Sequence, residues 1–173
     1  MYLISAYFDE KTERMLSRYI ERIAEKTGNT FMTDNHVPPH MTISSVEARN
    51  GELLLPYMEN LCGHLQRGTV SFVSVGALLP YVLYLTPVLN SYLQDLSQRS
   101  YAAVNEIWDV HVSRFYKPMQ WLPHVTLAKT LTKEQMQIAF KVMQEGFAPF
   151  DGEIVRLGLA KTNPHEDIWS LML

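Results

Sequence analysis

Two short motifs in this chain carry the side chains best suited to chemistry, and both follow one pattern. The first motif, Pro-His-Met-Thr-Ile, occupies residues 39–43, and the second, Pro-His-Val-Thr-Leu, occupies residues 123–127. Side chains alternate between the two faces of an extended strand, so each histidine shares a face with its threonine. The apolar residues then point the other way, into a core. Each motif therefore predicts one imidazole and one hydroxyl side by side on a half-buried strand.

Two histidines that face each other across a small site suit paired acid–base catalysis. Imidazole titrates near pH 6.5, so at neutral pH one ring can act as a base while the other acts as an acid. Two threonine hydroxyls beside them can donate hydrogen bonds to the non-bridging oxygens of a phosphate. We therefore assign His40 and His124 as candidate catalytic residues, and Thr42 and Thr126 as candidate phosphate-binding residues. The reaction that fits is attack on a phosphodiester without a metal ion or other cofactor, and a strained 2′,3′-cyclic phosphate is a good candidate.

The elements that position these motifs follow from hydrophobic spacing and from capping residues. We expect Asp9 to begin the first helix and Gly28 to end it. Thr86 is expected to cap a later helix with Pro87 at its first position, and Thr132 to Gln135 should form a capping box. The predicted strands are Tyr2–Phe8, His40–Val46, Thr69–Leu79, Tyr81–Leu85, His124–Thr130, Ile154–Lys161 and Ile168–Leu173. The predicted helices are 9–26, 53–65, a segment after Thr86, and 132–146. We expect a loop at 29–39, a segment at 108–122 that is irregular or partly strand, and a turn at 162–167.

The order of these elements repeats. A strand, a helix and a loop lead to the first motif, and the same succession leads to the second. The repeat predicts a single bilobal domain over residues 1–173. Its halves are roughly 1–80, with the motif at 40–43, and 81–173, with the motif at 124–127. Two similar halves packed about a pseudo-twofold axis would set the motif strands side by side and the His-Thr pairs face to face across a cleft.

The paired motifs resemble the His-x-Thr-x signature of the 2H phosphoesterases, which include 2′,5′ RNA ligase-like proteins and RNA 2′,3′-cyclic phosphodiesterases. The resemblance covers nearly the whole chain. It implies an α+β fold with two antiparallel sheets flanked by helices around a central groove. His40, Thr42, His124 and Thr126 match the family's catalytic positions. Many relatives carry arginine shortly after the second motif, where this chain has Lys129, which supplies charge without a bidentate fork.

Lys129 is therefore a candidate substrate-binding residue, and Trp169 on the last predicted strand is another. A tryptophan there can stack on a nucleobase or pack in the core, and the sequence leaves both open. The resemblance also allows two functions. One is hydrolysis of a cyclic phosphate or reversible 2′,5′ RNA ligation, and the alternative is a nucleotide-binding module with little turnover. The substrate, the direction of reaction and the assignment of acid and base stay open.

The composition of the chain limits the kinds of substrate and cellular compartment that we expect. A formal charge of −3 and a pI near 6.1 argue against binding of long nucleic acid, so we expect a nucleotide or an RNA end as substrate. The single cysteine fits a reducing compartment, and no apolar run reaches the roughly 18 residues of a membrane helix. We expect a cytoplasmic monomer. A zinc site from His36 and His40 is disfavoured, because the intervening prolines prevent a helical i, i+4 pair and no cysteine or carboxylate cluster completes it.

Overall fold

Helices and antiparallel strands both form from this chain, which confirms the predicted α+β class. The computed structural model describes residues 1–162 and 166–173. In chain order the elements are β1 Tyr2–Phe8, α1 Glu10–Thr27, α2 Phe31–Asp34, β2 His40–Glu47, α3 Leu55–Glu59, β3 Gly68–Leu78, β4 Val82–Pro87, α4 Ser91–Asn105, β5 His111–Val112, β6 Val125–Ala128, α5 Lys133–Gly146, β7 Phe150–Lys161 and β8 Glu166–Met172.

The strands form two groups of antiparallel pairings around the centre of the molecule. One group runs β2-β1-β7-β8 and the other runs β6-β4-β3-β7. Strand β7 belongs to both groups, because residues 150–154 pair with β3 and residues 154–161 pair with β1. Strands β2 and β6 also meet directly, at Met41 and Val125. The two sheets expected from the sequence are therefore joined by hydrogen bonds into one continuous eight-stranded sheet.

The strand pairings around the two motifs follow the same course. In the first half β1 leads through α1 to β2, and in the second half β4 leads through α4 to β6. The pairing of β1 with β2 shifts between Ile4 and Ser5 and skips Ile43. The pairing of β4 with β6 shifts between Leu83 and Tyr84 and skips Leu127. The same irregularity thus occurs at the same position of both motifs, and the duplication itself stays a prediction.

The two halves exchange their third strands. Strand β3 follows the first motif in sequence, yet it pairs with β4 of the second half. Strand β7 follows the second motif, yet it pairs with β1 of the first half. Each motif strand consequently sits in a group whose third strand comes from the other half of the chain.

Helix α1 begins and ends where the sequence predicts. Asp9 accepts hydrogen bonds from the backbone N–H groups of Lys11 and Thr12, at 3.1 and 3.4 Å. The same carboxylate accepts one from the N–H of Glu153 on β7, at 3.1 Å. Gly28 follows the helix with a φ of 70°, a conformation that side chains disfavour. The Asp9 cap therefore also fastens the helix to the sheet.

Two predicted helix boundaries are wrong. Strand β4 continues through Pro87, and α4 begins at Ser91 with Asn90 as its cap, so Thr86 does not cap a helix. The predicted helix at 53–65 is also shorter, because only a 3₁₀ turn at Gly51–Leu53 and α3 are helical there. The segment beyond α3 turns and becomes irregular before β3.

The second half otherwise follows the prediction closely. The capping box at Thr132 is present, with Gln135 as its partner. Helical spacing places Phe140 on the buried face of α5, but its side chain is exposed and Val142 is buried instead. The predicted turn at 162–167 includes residues 163–165, which lie outside the described residues, and β8 already begins at Glu166. None of the helices among residues 1–162 and 166–173 is long and apolar enough to cross a membrane.

Candidate active site

The two motif strands lie next to each other at the junction of the two strand groups. Met41 and Val125 are antiparallel partners. Continuing that register by one residue sets His40 across from Thr126, and Thr42 across from His124. These four side chains are partly exposed, whereas the apolar residues of both motifs are fully buried. The predicted alternation and the predicted side-by-side arrangement are therefore present.

Each catalytic candidate is anchored by its own chain in the same way. His40 Nδ1 lies 2.9 Å from the carbonyl oxygen of Pro38, and His124 Nδ1 lies 2.8 Å from that of Leu122. A carbonyl oxygen only accepts hydrogen bonds, so Nδ1 must carry the proton in both rings. That tautomer places the basic lone pair on Nε2. The local backbone thus fixes the orientation and the tautomer of both imidazoles.

A tyrosine ring accompanies each imidazole. The ring centroids of Tyr7 and His40 are 6.1 Å apart, and those of Tyr84 and His124 are 5.1 Å apart. Tyr7 is the strand partner of His40, whereas Tyr84 is the partner of Thr126. The two tyrosines therefore occupy different positions relative to their motifs.

Both tyrosines also lie over a glycine on the next strand. A Cβ at Gly76 would lie 2.5 Å from Tyr84 Cζ, and a Cβ at Gly158 would lie 2.9 Å from Tyr7 Cε2. Only a residue without a side chain leaves room for these rings in their observed positions. The two glycines occupy equivalent places in their strand groups, opposite Tyr84 and opposite Ser5.

The surroundings of His124 shift its pKa. Burial lowers the pKa of His124 below its ordinary value, and the hydrogen bond to the Leu122 carbonyl offsets only part of that effect. The neutral ring is consequently favoured at neutral pH. A neutral imidazole with its lone pair on Nε2 is the form that accepts a proton.

Residues 113–122, which we call the crossing segment, pass over the first motif on the way to the second. The N–H of Ser113 donates to the carbonyl of Ser45 at 2.9 Å. Trp121 Nε1 donates to the carbonyl of Thr42 at 3.0 Å, and the Tyr116 hydroxyl shares a hydrogen bond with the Thr42 side chain. This segment ends at Leu122, whose carbonyl holds His124. One stretch of chain thus contacts both motifs.

Thr86 bonds to the second motif and does not cap a helix. Its hydroxyl donates to the carbonyl of Pro123, the first residue of the second motif, at 2.9 Å. The hydroxyl therefore bonds to the second motif and does not cap α4, whose cap is Asn90.

The two remaining candidates lie elsewhere. The ammonium group of exposed Lys129 lies 5.7 Å from the centroid of the Phe31 ring on α2, beyond the end of β6. Trp169 pairs with buried Leu159 and packs against the hydrophobic core. That position favours the packing role that the sequence left open. No described contact brings Lys129 or Trp169 to the motif side chains.

Sequence reasoning did not assign four residues that line or support the site: Tyr7, Tyr84, Tyr116 and Arg156. The guanidinium of Arg156 on β7 lies 3.8 Å from the centroid of the Tyr7 ring. Tyr116 belongs to a segment that the sequence marked as irregular, and an aromatic residue there could equally have been packing. The others depend on which strands become neighbours, a fact that no local pattern reveals.

Metal ligation was disfavoured by the sequence. No group of three His, Cys, Asp or Glu side chains that could hold a metal comes together within residues 1–162 and 166–173. Metal-independent chemistry stays a prediction, because a metal can also arrive with a substrate.

Comparison with known proteins adds the family context. A family model described as the 2′-5′ RNA ligase superfamily matches residues 12–166. The fold is similar to Escherichia coli LigT complexed with 3′-AMP, with 12% identity, 99% of this chain and 97% of that chain covered, and a TM-score of 0.66. TT0787 of Thermus thermophilus gives 15% identity, 99% and 97% coverage and a TM-score of 0.64. E. coli LigT complexed with NADP+ has 12% identity and a TM-score of 0.57, with 99% of this chain and 96% of that chain covered. No curated protein sequence matches the chain.

Proposed function

Because the chain belongs to the 2′-5′ RNA ligase superfamily of 2H phosphoesterases, we propose that it hydrolyses a 2′,3′-cyclic phosphate at a ribose by two-histidine acid–base catalysis. One observation carries the proposal. Two imidazoles, each tied through Nδ1 to its own backbone, stand on adjacent antiparallel strands beside two threonine hydroxyls. In this proposal one imidazole acts as the acid and the other as the base. The two threonine hydroxyls donate hydrogen bonds to the phosphate, and no cofactor takes part.

In the proposed reaction the base takes a proton from water as the water oxygen bonds to phosphorus. The bond from phosphorus to one ribose oxygen breaks, and the acid donates a proton to that leaving oxygen. The product is a ribose phosphomonoester with a free hydroxyl beside it. Reversible 2′,5′ RNA ligation uses the same groups, because a ribose hydroxyl then takes the place of water.

We assign the base in hydrolysis to His124 and the acid to His40. The burial that keeps His124 neutral favours proton acceptance at its Nε2. Thr42 and Thr126 flank the two rings, so their hydroxyls can donate to the non-bridging oxygens as negative charge grows there. The Tyr116 hydroxyl can orient the Thr42 hydroxyl through their shared hydrogen bond.

The two LigT complexes contain 3′-AMP and NADP+ as molecules bound to that protein. We propose that this chain likewise takes a nucleotide or the end of an RNA. Lys129 could meet a longer substrate beyond β6, whereas Trp169 has a weaker case because it packs against the core.

The test is turnover of adenosine 2′,3′-cyclic phosphate in EDTA between pH 5 and 9. We expect a bell-shaped dependence of kcat/KM on pH, and a loss of at least about 1,000-fold in His40→Asn and in His124→Asn. Asparagine keeps an N–H that can bond to the same carbonyl, so the fold should survive. His64→Asn is the matched control, because His64 is exposed and outside both motifs.

Three results would separate the alternatives. Equal activity in wild type and both motif variants would refute the two-histidine mechanism. Activity that disappears in EDTA would contradict the metal-free reaction. Absence of turnover together with tight binding of 3′-AMP would favour the nucleotide-binding module that the sequence also allows.

A further inference from the structure

Arg156 stands on the same face of the sheet as the first motif. Its strand partner is Tyr7, and the strand partner of Tyr7 is His40, so the three side chains lie across β7, β1 and β2. The guanidinium lies 3.8 Å from the centroid of the Tyr7 ring, whose centroid lies 6.1 Å from that of His40. No more than about 10 Å therefore separates the guanidinium from the imidazole.

The contacts of this arginine leave its hydrogen-bonding groups unmatched. One face of the guanidinium rests on Tyr7 and holds the group in place, which is a favourable cation–π contact. Within residues 1–162 and 166–173 the five N–H donors make no hydrogen bond and no ion pair. Asp167, on the adjoining strand, lies near enough to raise the pKa of Tyr7, but none of the described ion pairs joins it to Arg156. A half-buried arginine so arranged suits an anion that none of the described residues places against it.

The repeat shows that this charge is not part of the shared framework. Tyr7 corresponds to Thr86 in the second half, and the strand partner of Thr86 is Ser74. Arg156 thus has an uncharged, exposed serine as its counterpart. The four motif side chains are nearly symmetric across the site, whereas this cation stands on the His40 side alone. This cation therefore makes the two sides of the site different in charge.

The reacting phosphate is not the group that Arg156 would hold. Strand β7 is two strand spacings, about 10 Å, from the motif strand β2. Tyr7 stands between the arginine and His40. A phosphate held by the motif threonines contacts side chains on β2 and β6. Arg156 therefore faces a second position farther along the substrate.

We propose that Arg156 binds a second phosphate of the substrate, one ribose away from the phosphodiester that reacts. The preferred substrate is then a 2′,3′-cyclic phosphate that also carries a 5′-phosphate, with that phosphate on the His40 side. Arginine suits this task because its planar fork can bind two phosphate oxygens at once. This inference rests on the proposed function for its substrate, although its binding part can be tested without turnover.

The experiment compares adenosine 2′,3′-cyclic phosphate with the same compound bearing a 5′-phosphate. In the wild type the 5′-phosphate should lower KM about tenfold, equivalent to about 1.4 kcal/mol. In Arg156→Gln the two substrates should have KM values within about twofold, and Arg156→Lys should recover part of the difference. Arg18→Gln is the charge-matched control, because Arg18 is exposed on α1. It should keep the tenfold preference.

Structural and substrate effects give different results. If Arg156 only supported Tyr7 and His40, Arg156→Gln would lower kcat for both substrates equally and leave their KM ratio unchanged, which would overturn the proposal. A wild type that does not distinguish the two substrates would also overturn it.

A binding measurement covers the case in which the proposed reaction fails. Adenosine 3′,5′-bisphosphate and 3′-AMP are titrated calorimetrically into wild type and Arg156→Gln. Tighter binding of the bisphosphate by about tenfold, lost in the variant, would support the second phosphate position even without turnover. Equal affinities would reject it, whatever the outcome for catalysis.

Discussion

Replacing Gly76 by alanine should displace Tyr84 and disturb His124 without contacting the histidine. The new Cβ would lie 2.5 Å from Tyr84 Cζ and Oη and 2.8 Å from Cε2. Carbon atoms pack favourably at about 3.5–4.0 Å, so the ring must move by about 1 Å. Gly76 does not have a left-handed φ, so alanine fits its backbone, and the disturbance is confined to the ring.

The size of the effect follows from what Tyr84 contacts. Its ring centroid lies 5.1 Å from that of His124, and the burial of His124 lowers its pKa. A displacement of about 1 Å in a catalytic group can cost about a hundredfold in rate. Since His124 is moved only through its neighbour, we expect kcat/KM to fall about ten- to a hundredfold. Water that enters beside the ring should raise the pKa of His124 towards 6.5.

A double-mutant cycle makes the prediction specific. In Tyr84→Ala the obstacle is gone, so adding Gly76→Ala should cost no further activity. Alanine also restricts the unfolded chain more than glycine does, and it should then raise the free energy of unfolding by about 0.5–1 kcal/mol. The assays are cyclic phosphate turnover, urea unfolding and an NMR titration of the histidine ring. Gly158→Ala, whose Cβ meets Tyr7 less closely at 2.9 Å, should have a smaller effect.

Two results would refute this reasoning. If Gly76→Ala keeps wild-type kcat/KM and an unchanged His124 pKa, the Tyr84 ring does not control that histidine. If the loss is the same size in the Tyr84→Ala background, the damage is transmitted through the strand and not through the ring.

Three other outcomes are expected. Tyr116→Phe removes the hydroxyl that pairs with Thr42, so kcat/KM should fall about three- to tenfold while the melting temperature stays within about 2 °C of wild type. In a Thr42→Val background, Tyr116→Phe should cause no further loss of activity. Asp9→Ala removes the cap of α1 and should lower the free energy of unfolding in urea by about 1–2 kcal/mol while activity persists; equal stability would contradict the cap. The pKa of His124 is lower in the folded protein than in the unfolded chain, so the unfolded chain takes up a proton first as the pH falls below about 6.5, and stability declines there. When the melting temperature is measured against pH, His124→Asn should lack that part of the decline.

Local sequence patterns were enough to predict the motif strands and what they present to the site. The alternation of polar and apolar residues in residues 39–43 and 123–127 determines which side chains are buried, and that rule holds wherever a strand has one buried face. The capping residues Asp9 and Thr132 were also recognisable, because each bonds to backbone only a few residues away. These features depend on short stretches of chain.

Features that depend on distant strands were not predictable. Thr86 looks like a helix cap next to Pro87, yet its hydroxyl bonds to Pro123, 37 residues later. Arg156 reads as an ordinary strand residue until β7 is placed beside β1. A local preference of about 1 kcal/mol, such as a cap, is easily outweighed by contacts with other elements. The sequence therefore predicted which motif side chains share a face and missed the residues that surround them.

The exchange of third strands between the halves has a consequence for the order in which the protein can be made. Strand β1 is synthesised well before its partner β7, because Tyr2 pairs with Lys161 and Phe8 pairs with Ile154. Until then the growing chain carries an unpaired edge of buried, apolar residues. Neither half can complete its own sheet, so the ring of strands around the two motifs closes only after β7 has left the ribosome. Such distant pairings form slowly, and the nascent protein depends on being kept from aggregation for that interval.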